Sequence, residues 1–202
     1  MTISVPACRV AARLARRWVA GVVDPAGAMR ALPRSGGPRA GLAAVLTRSL
    51  VTDLVETLPQ ALLRRRPFTP TRLPLPPERH YPAQLVLLPA FGVALWALMG
   101  TATHARLRLF GQDSDLSRVL DVVGVGMLIP MPPLWVSDAV MIATDRFALP
   151  GPAITHTVVQ LWETALFATG LRTLLGLRWT PAVLVSLGTS GVYVPDASRV
   201  VR

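Results

Sequence analysis

Residues 84–103, QLVLLPAFGVALWALMGTAT, run for twenty positions without a formal charge. Crossing a hydrocarbon core of ~30 Å takes ~20 mostly apolar residues as helix, because each adds ~1.5 Å of rise. In lipid the backbone can be satisfied only by its own helical hydrogen bonds. Helix is therefore predicted here despite Val86, Val93 and Pro89. The competing reading is a buried helix of a soluble protein, but 202 residues leave little other surface to wrap several such segments.

The balance of the chain agrees. It is 51% hydrophobic and 16% charged, against roughly 25% charged in ordinary soluble domains. All 21 basic residues are arginine, and lysine and asparagine are absent, a bias that points to a bacterial inner-membrane protein. The chain carries a net charge of +10, and thirteen of the 21 arginines lie in the first 80 residues, beside the apolar segments. Cytoplasmic flanks and anionic lipid headgroups explain that placement better than nucleic acid does. Cys8 is the single cysteine, so no intrachain disulfide can form, and no cleavable targeting peptide is expected.

In chain order, Val10, Leu14, Trp18 and Val22 recur every four residues, with Arg9, Arg13, Arg16 and Arg17 on the other side. That pattern predicts an amphipathic helix lying in the interface, its arginines and Trp18 binding headgroups, with a disordered basic tail as the alternative. Asp24-Pro25 is a break before a second short helix, and 33–41 is a Gly- and Pro-rich loop. Residues 1–40 thus read as a basic cytoplasmic segment and 41–196 as a membrane domain.

Within that domain the spans are predicted at 41–63, 84–103, 116–142, 153–171 and 181–194. The first carries Arg48, Asp53 and Glu56. A central charge costs ~2.5–3.5 kcal/mol on insertion scales, so this segment either crosses with help from neighbours or lies at the surface. The loop arginines favour the surface-lying version. Residues 64–83, with prolines at 67, 70, 74, 76, 77 and 82, read as an extended basic linker. Asp115 is the predicted N-cap of a helix starting at Leu116, in preference to chelation of a cation by Asp113 and Asp115. Pro130, Pro132 and Pro133 interrupt the third span, either at a site or at a membrane boundary. In the last span Ala182, Ser186 and Ser190 form a small-residue face suited to close packing.

The runs LLPAFGVALWALMGTATHARLRLFGQ, LSRVLDVVGVGMLIPMPPLW and LWETALFATGLRTLLGLRWTPAVLVSL, in this order, resemble the membrane domain of the Yip (Ypt/Rab-interacting protein) family. The likeness includes His104, Leu109, Phe110 and Gly111 after one span, Gly124 and Pro130 in the next, and Trp162, Gly170, Leu171, Gly176 and Leu177 in the one after. Asp24-Pro25 with the helix after it is similar to the family's N-terminal lead-in. The resemblance implies an all-α, polytopic bundle of about five transmembrane helices with a cytoplasmic N-terminus, so that 41–63 crosses after all. Eukaryotic members are membrane-shaping and trafficking factors that engage Rab GTPases. Their aspartate-leucine-tyrosine-glycine-proline stretch is missing here, so the resemblance does not extend to a GTPase partner.

Catalytic motifs are lacking. Without lysine there is no GxxxxGK[ST] loop; His80, His104 and His156 form no HExxH; one cysteine cannot make a zinc ribbon; and no GxSxG occurs. No enzyme activity, cofactor or metal is expected. What remains is a set of ionisable groups at membrane depth: Glu163, Asp121 and Asp138, with Arg48, Asp53 and Glu56 in the first span. They read either as a polar path or cleft, or as Arg48 paired with one acid and the rest neutral or near the interface; the second is preferred. The expected function is a non-enzymatic membrane organiser or adaptor, with lipids, a second copy or another membrane protein as partner. The alternative is a small permease using Glu163, Asp121 and Asp138.

Overall fold

The computed structural model describes residues 18–32, 37–67, 75–148 and 150–200, with backbone alone for 192–200. Arg9, Arg13, Arg16 and Arg17 lie outside the described residues, as does most of 68–76. The described residues are helical, with no strand among them.

Residues 18–23 form the described part of helix α1. Asp24 then caps α2 (Pro25–Arg30), its carboxylate accepting from the Gly27 amide at 2.8 Å, with Pro25 in the first turn where no N–H is needed. Helix α3 (Arg39–Thr52) continues through a π turn (Asp53–Thr57) into α4 (Leu58–Leu62). Pro59 explains the widening. Its ring cannot donate to the carbonyl four residues back and would clash with it, and the wider turn, with Leu58 N–H bonded to Asp53 O, makes room.

Helix α5 (His80–Leu109) is longer than predicted at both ends. At its start Pro82 falls in the first turn, which tolerates it, so the linker gives way to helix before residue 84. At its finish the helix runs past the predicted end at 103 to Leu109, and Arg106 and Arg108 in its last turn complement the helix dipole. The stop is set by Gly111 at φ +71°: its N–H bonds Arg108 O at 3.0 Å while Gln112 N–H bonds Leu107 O at 2.9 Å. This is what the Leu-Phe-Gly stretch encodes.

Asp115 caps α6 (Leu116–Leu128), accepting from Ser117 N at 2.9 Å. The prolines at 132 and 133 enter the first turn of α7 (Met131–Ala143). Helices α8 (Gly151–Leu175) and α9 (Trp179–Val200) complete the bundle, and both run beyond the predicted 153–171 and 181–194.

Helix α6 is the hub. Val119 through Gly124, Gly126 and Met127 are all buried, and α3, α5 and α8 pack around it. Val45, Trp96, Met99, Phe167, Leu171 and Val185 share its core. Met29, fully buried, brings the N-terminal helices into the same core and packs them against α8. The small face of α9 is buried as its spacing predicts, with Ala182 and Ser186 at 0% exposure. There Thr189 bonds Thr103 at 2.5 Å and Ser190 bonds Thr164 at 2.6 Å, tying α9 to α5 and α8. Among the described residues, two helical stretches are long and apolar enough to cross a membrane, Pro77–Leu109 and Leu116–Ala143. The first is mostly uncovered by the rest of the protein and the second mostly enclosed by it.

Candidate functional site

Asp121 lies where α3 crosses α6. Pro38 has no side-chain oxygen to cap α3, and Asp121 does the job from the neighbouring helix, accepting from Gly41 N at 2.7 Å. The crossing is close because both residues at it lack a side chain. A Cβ on Gly41 would stand 2.5 Å from Leu120 O, and one on Gly124 would collide with the Gly41 backbone. The indole of Trp96 adds a bond to Leu120 O at 2.8 Å. Buried Asp121 is thus a cap in trans.

The proline break poses the opposite need. Ile129 O would accept from the residue four positions on, but that residue is Pro133, which has no N–H. Trp18 fills the gap, its indole N–H donating to Ile129 O at 2.6 Å. Gly21 sits against the Ile129 side chain beside it. The sequence reading put Trp18 at headgroup depth on an interfacial helix; the structure instead turns it into the bundle, because a freed carbonyl away from water needs a donor.

The remaining predicted polar residues converge further along. Arg48 on α3 meets Glu163 on α8 at 2.8 Å, with Glu163 wholly buried. Next to them, at the π turn, Glu56 comes together with Asp138 of α7 and His156 of α8, each offering a ligand atom within 4.8 Å of the others. His156 Nε2 stands 3.1 Å from Asp138 Oδ2. Asp138 is fully buried and the His156 side chain is 48% exposed, opening the cluster on one side. Asp53, 6% exposed, is close by, near enough with Arg48 to act electrostatically on Glu56. Trp135 pins α7 to this turn through its indole N–H to Thr52 Oγ1 at 2.9 Å.

Hydrogen bonding does not use up these groups. Asp53 Oδ1, Glu56 Oε1 and Asp138 Oδ1 are shielded from solvent and accept no hydrogen bond from any described residue. Buried acceptors of that kind are costly, so the arrangement suits a proton or a cation. Of the residues singled out in the sequence, Arg48, Asp53, Glu56, Asp138 and Glu163 share one region, and Asp121 stands apart at the α3 cap. His104 pairs with Ser114 at 2.8 Å beyond the end of α5, remote in sequence from the cluster. His156 was missed; the signal was a polar stripe on α8, with His156, Gln160 and Glu163 at a spacing of four and three.

Residues 21–194 match the Yip1 domain family. No curated protein and no solved structure matches the chain.

Proposed function

The chain belongs to the Yip1 domain family, and from that premise we propose that it is a five-pass membrane protein that organises membrane or adapts other membrane proteins and catalyses no reaction. The five passes are α3 with α4, α5, α6 with α7, α8 and α9. The observation that carries this reading is the outer surface, where each pass shows large apolar side chains outward. They include Leu50 and Leu54 on the first, Val86 and Leu98 on α5, Val136 and Val140 on α7, Val158 and Leu161 on α8, and Leu184 and Leu187 on α9. Side chains of this size exposed on every pass suit a hydrocarbon solvent. The charges of 41–63 cease to argue against crossing once Arg48 and Glu163 neutralise each other inside the bundle.

The working surfaces are then the basic N-terminal arginines toward anionic lipid and the outward faces toward a second copy or another membrane protein, in a bacterial cytoplasmic membrane. Topology tests the reading. In a Cys8→Ser background, single cysteines at Arg65 and Arg146 should label from one side of sealed vesicles, and those at Gly111 and Arg178 from the other. Labelling of Arg65 and Gly111 from the same side would sink the five-pass arrangement. Reconstituted protein should bind anionic vesicles in a salt-sensitive way and carry no ion flux. A proton- or ion-dependent flux lost in Glu163→Gln would overturn the organiser in favour of a permease.

A further inference from the structure

We propose that Glu56, Asp138 and His156 form a binding site for one divalent transition-metal ion of the zinc type, independent of the organiser reading. The donor set comes first. An imidazole and two carboxylates suit zinc and its neighbours, whereas magnesium and calcium prefer oxygen alone. The three residues come from separate elements, the π turn, α7 and α8, and their ligand atoms already lie within 4.8 Å of one another. Ligands at ~2.1 Å from one tetrahedral ion stand ~3.4 Å apart, so side-chain rotations of modest size complete the geometry.

The second observation is independent of the clustering. Asp138 is wholly buried, and neither its Oδ1 nor Glu56 Oε1 is met by an N–H or hydroxyl donor among the described residues, while the two carboxyls lie within hydrogen-bond reach of each other. Two carboxylates facing each other away from water repel, and a doubly charged ion cancels that repulsion while filling both acceptor positions. Arg48, 2.8 Å from Glu163 and near enough to act on Glu56, brings one positive charge among three carboxyls, which leaves negative charge for an ion to balance. The π turn has a part in this. Widening the helix at Asp53–Thr57 shifts where Glu56 projects relative to a regular α-helix, which is how single wide turns come to serve sites. The half-exposed imidazole of His156, little more than one turn into α8, gives an ion access from the end of the bundle that carries residues 144–148. Three protein ligands leave a fourth position for water or for a donor from a partner.

The test is calorimetric titration of Zn²⁺ into chelator-stripped, detergent-solubilised full-length protein. The wild type should bind one ion per chain and gain thermal stability with it. Asp138→Asn and His156→Ala should each weaken binding at least about tenfold, with the metal-induced rise in unfolding midpoint lost in parallel. Asp113→Asn, in an exposed loop, should bind as the wild type does. If Asp138→Asn fails to fold, the partly exposed His156 carries the test alone. Absence of Zn²⁺ binding by the wild type overturns the proposal. So does binding that survives His156→Ala, or that disappears in Asp113→Asn.

Discussion

At the end of the bundle where α3 begins, the Asp121 carboxylate takes the Gly41 amide at 2.7 Å and holds two helices at backbone contact. Toward the other end, Asp138 is as deeply buried, yet one of its oxygens accepts nothing among the described residues and a second carboxyl stands close by. Both are acids in the same interrupted apolar stretch, α6 and α7. The difference lies in what surrounds them. A helix N-terminus offers amides that have no other use, so a neighbouring carboxylate there is structural. The middle of a helix offers none, so a carboxylate there waits for a proton, a cation or an arginine. Burial alone says little about purpose; the supply of donors says more.

Substitutions at the two ends should therefore diverge. The largest effect is expected at the close crossing. Gly124→Leu drives a side chain into the Gly41 backbone, with no flexible neighbour to yield, and should cost ~3 kcal/mol or more, or abolish folding. Denaturant unfolding in mixed micelles measures it, and a stable variant would mean that α3 and α6 do not meet as described. Next comes Glu163→Gln, which leaves the Arg48 charge facing a neutral amide and should cost about 3 kcal/mol. Replacing both partners by leucine should recover most of that loss, because well-packed apolar pairs replace buried ion pairs at little cost.

Asp121→Ala strips α3 of its cap and should lower stability by about 1–2 kcal/mol, with faster amide exchange at residues 39–41. Trp18→Phe keeps the ring but removes the donor, and should cost about 1 kcal/mol, read best as faster exchange around the proline break. The smallest change is expected from Asp138→Asn in chelator, where relieving carboxylate repulsion should leave the unfolding midpoint unchanged or slightly higher. A drop as large as that of Asp121→Ala would erase the contrast between the two ends.

Hydropathy located the long helices because an apolar run of sufficient length can be read residue by residue. It misplaced their ends because those are settled by capping. Gly111 at positive φ stops α5 at Leu109, and first-turn tolerance lets Pro82, Pro132 and Pro133 stay inside helices. Asp115 was legible as a cap because an N-cap acts on its own neighbours; Asp24, read only as part of a break, is a cap of the same kind. That Arg48 pairs with an acid was expected; that the acid is Glu163, and that Glu56, Asp138 and His156 meet, was not legible, since each joins residues from different helices. Individual polar residues showed through the sequence as costs; which of them meet depends on helix rotation and on the π turn. Trp18 misled for the same reason. A tryptophan next to arginines fits the interface on local grounds, and only the missing N–H of Pro133 explains its turning inward.

That last bond also imposes an order of events. Trp18 is made early, but the carbonyl it serves is 111 residues further along the chain. As a polypeptide emerges amino end first, the helix that carries Trp18 has nowhere to dock until the proline-broken stretch of α6 and α7 behind it exists. What is synthesised before that stretch is thus seated after it, and the arrival of Trp18 reports that the helices it leans on are already in place.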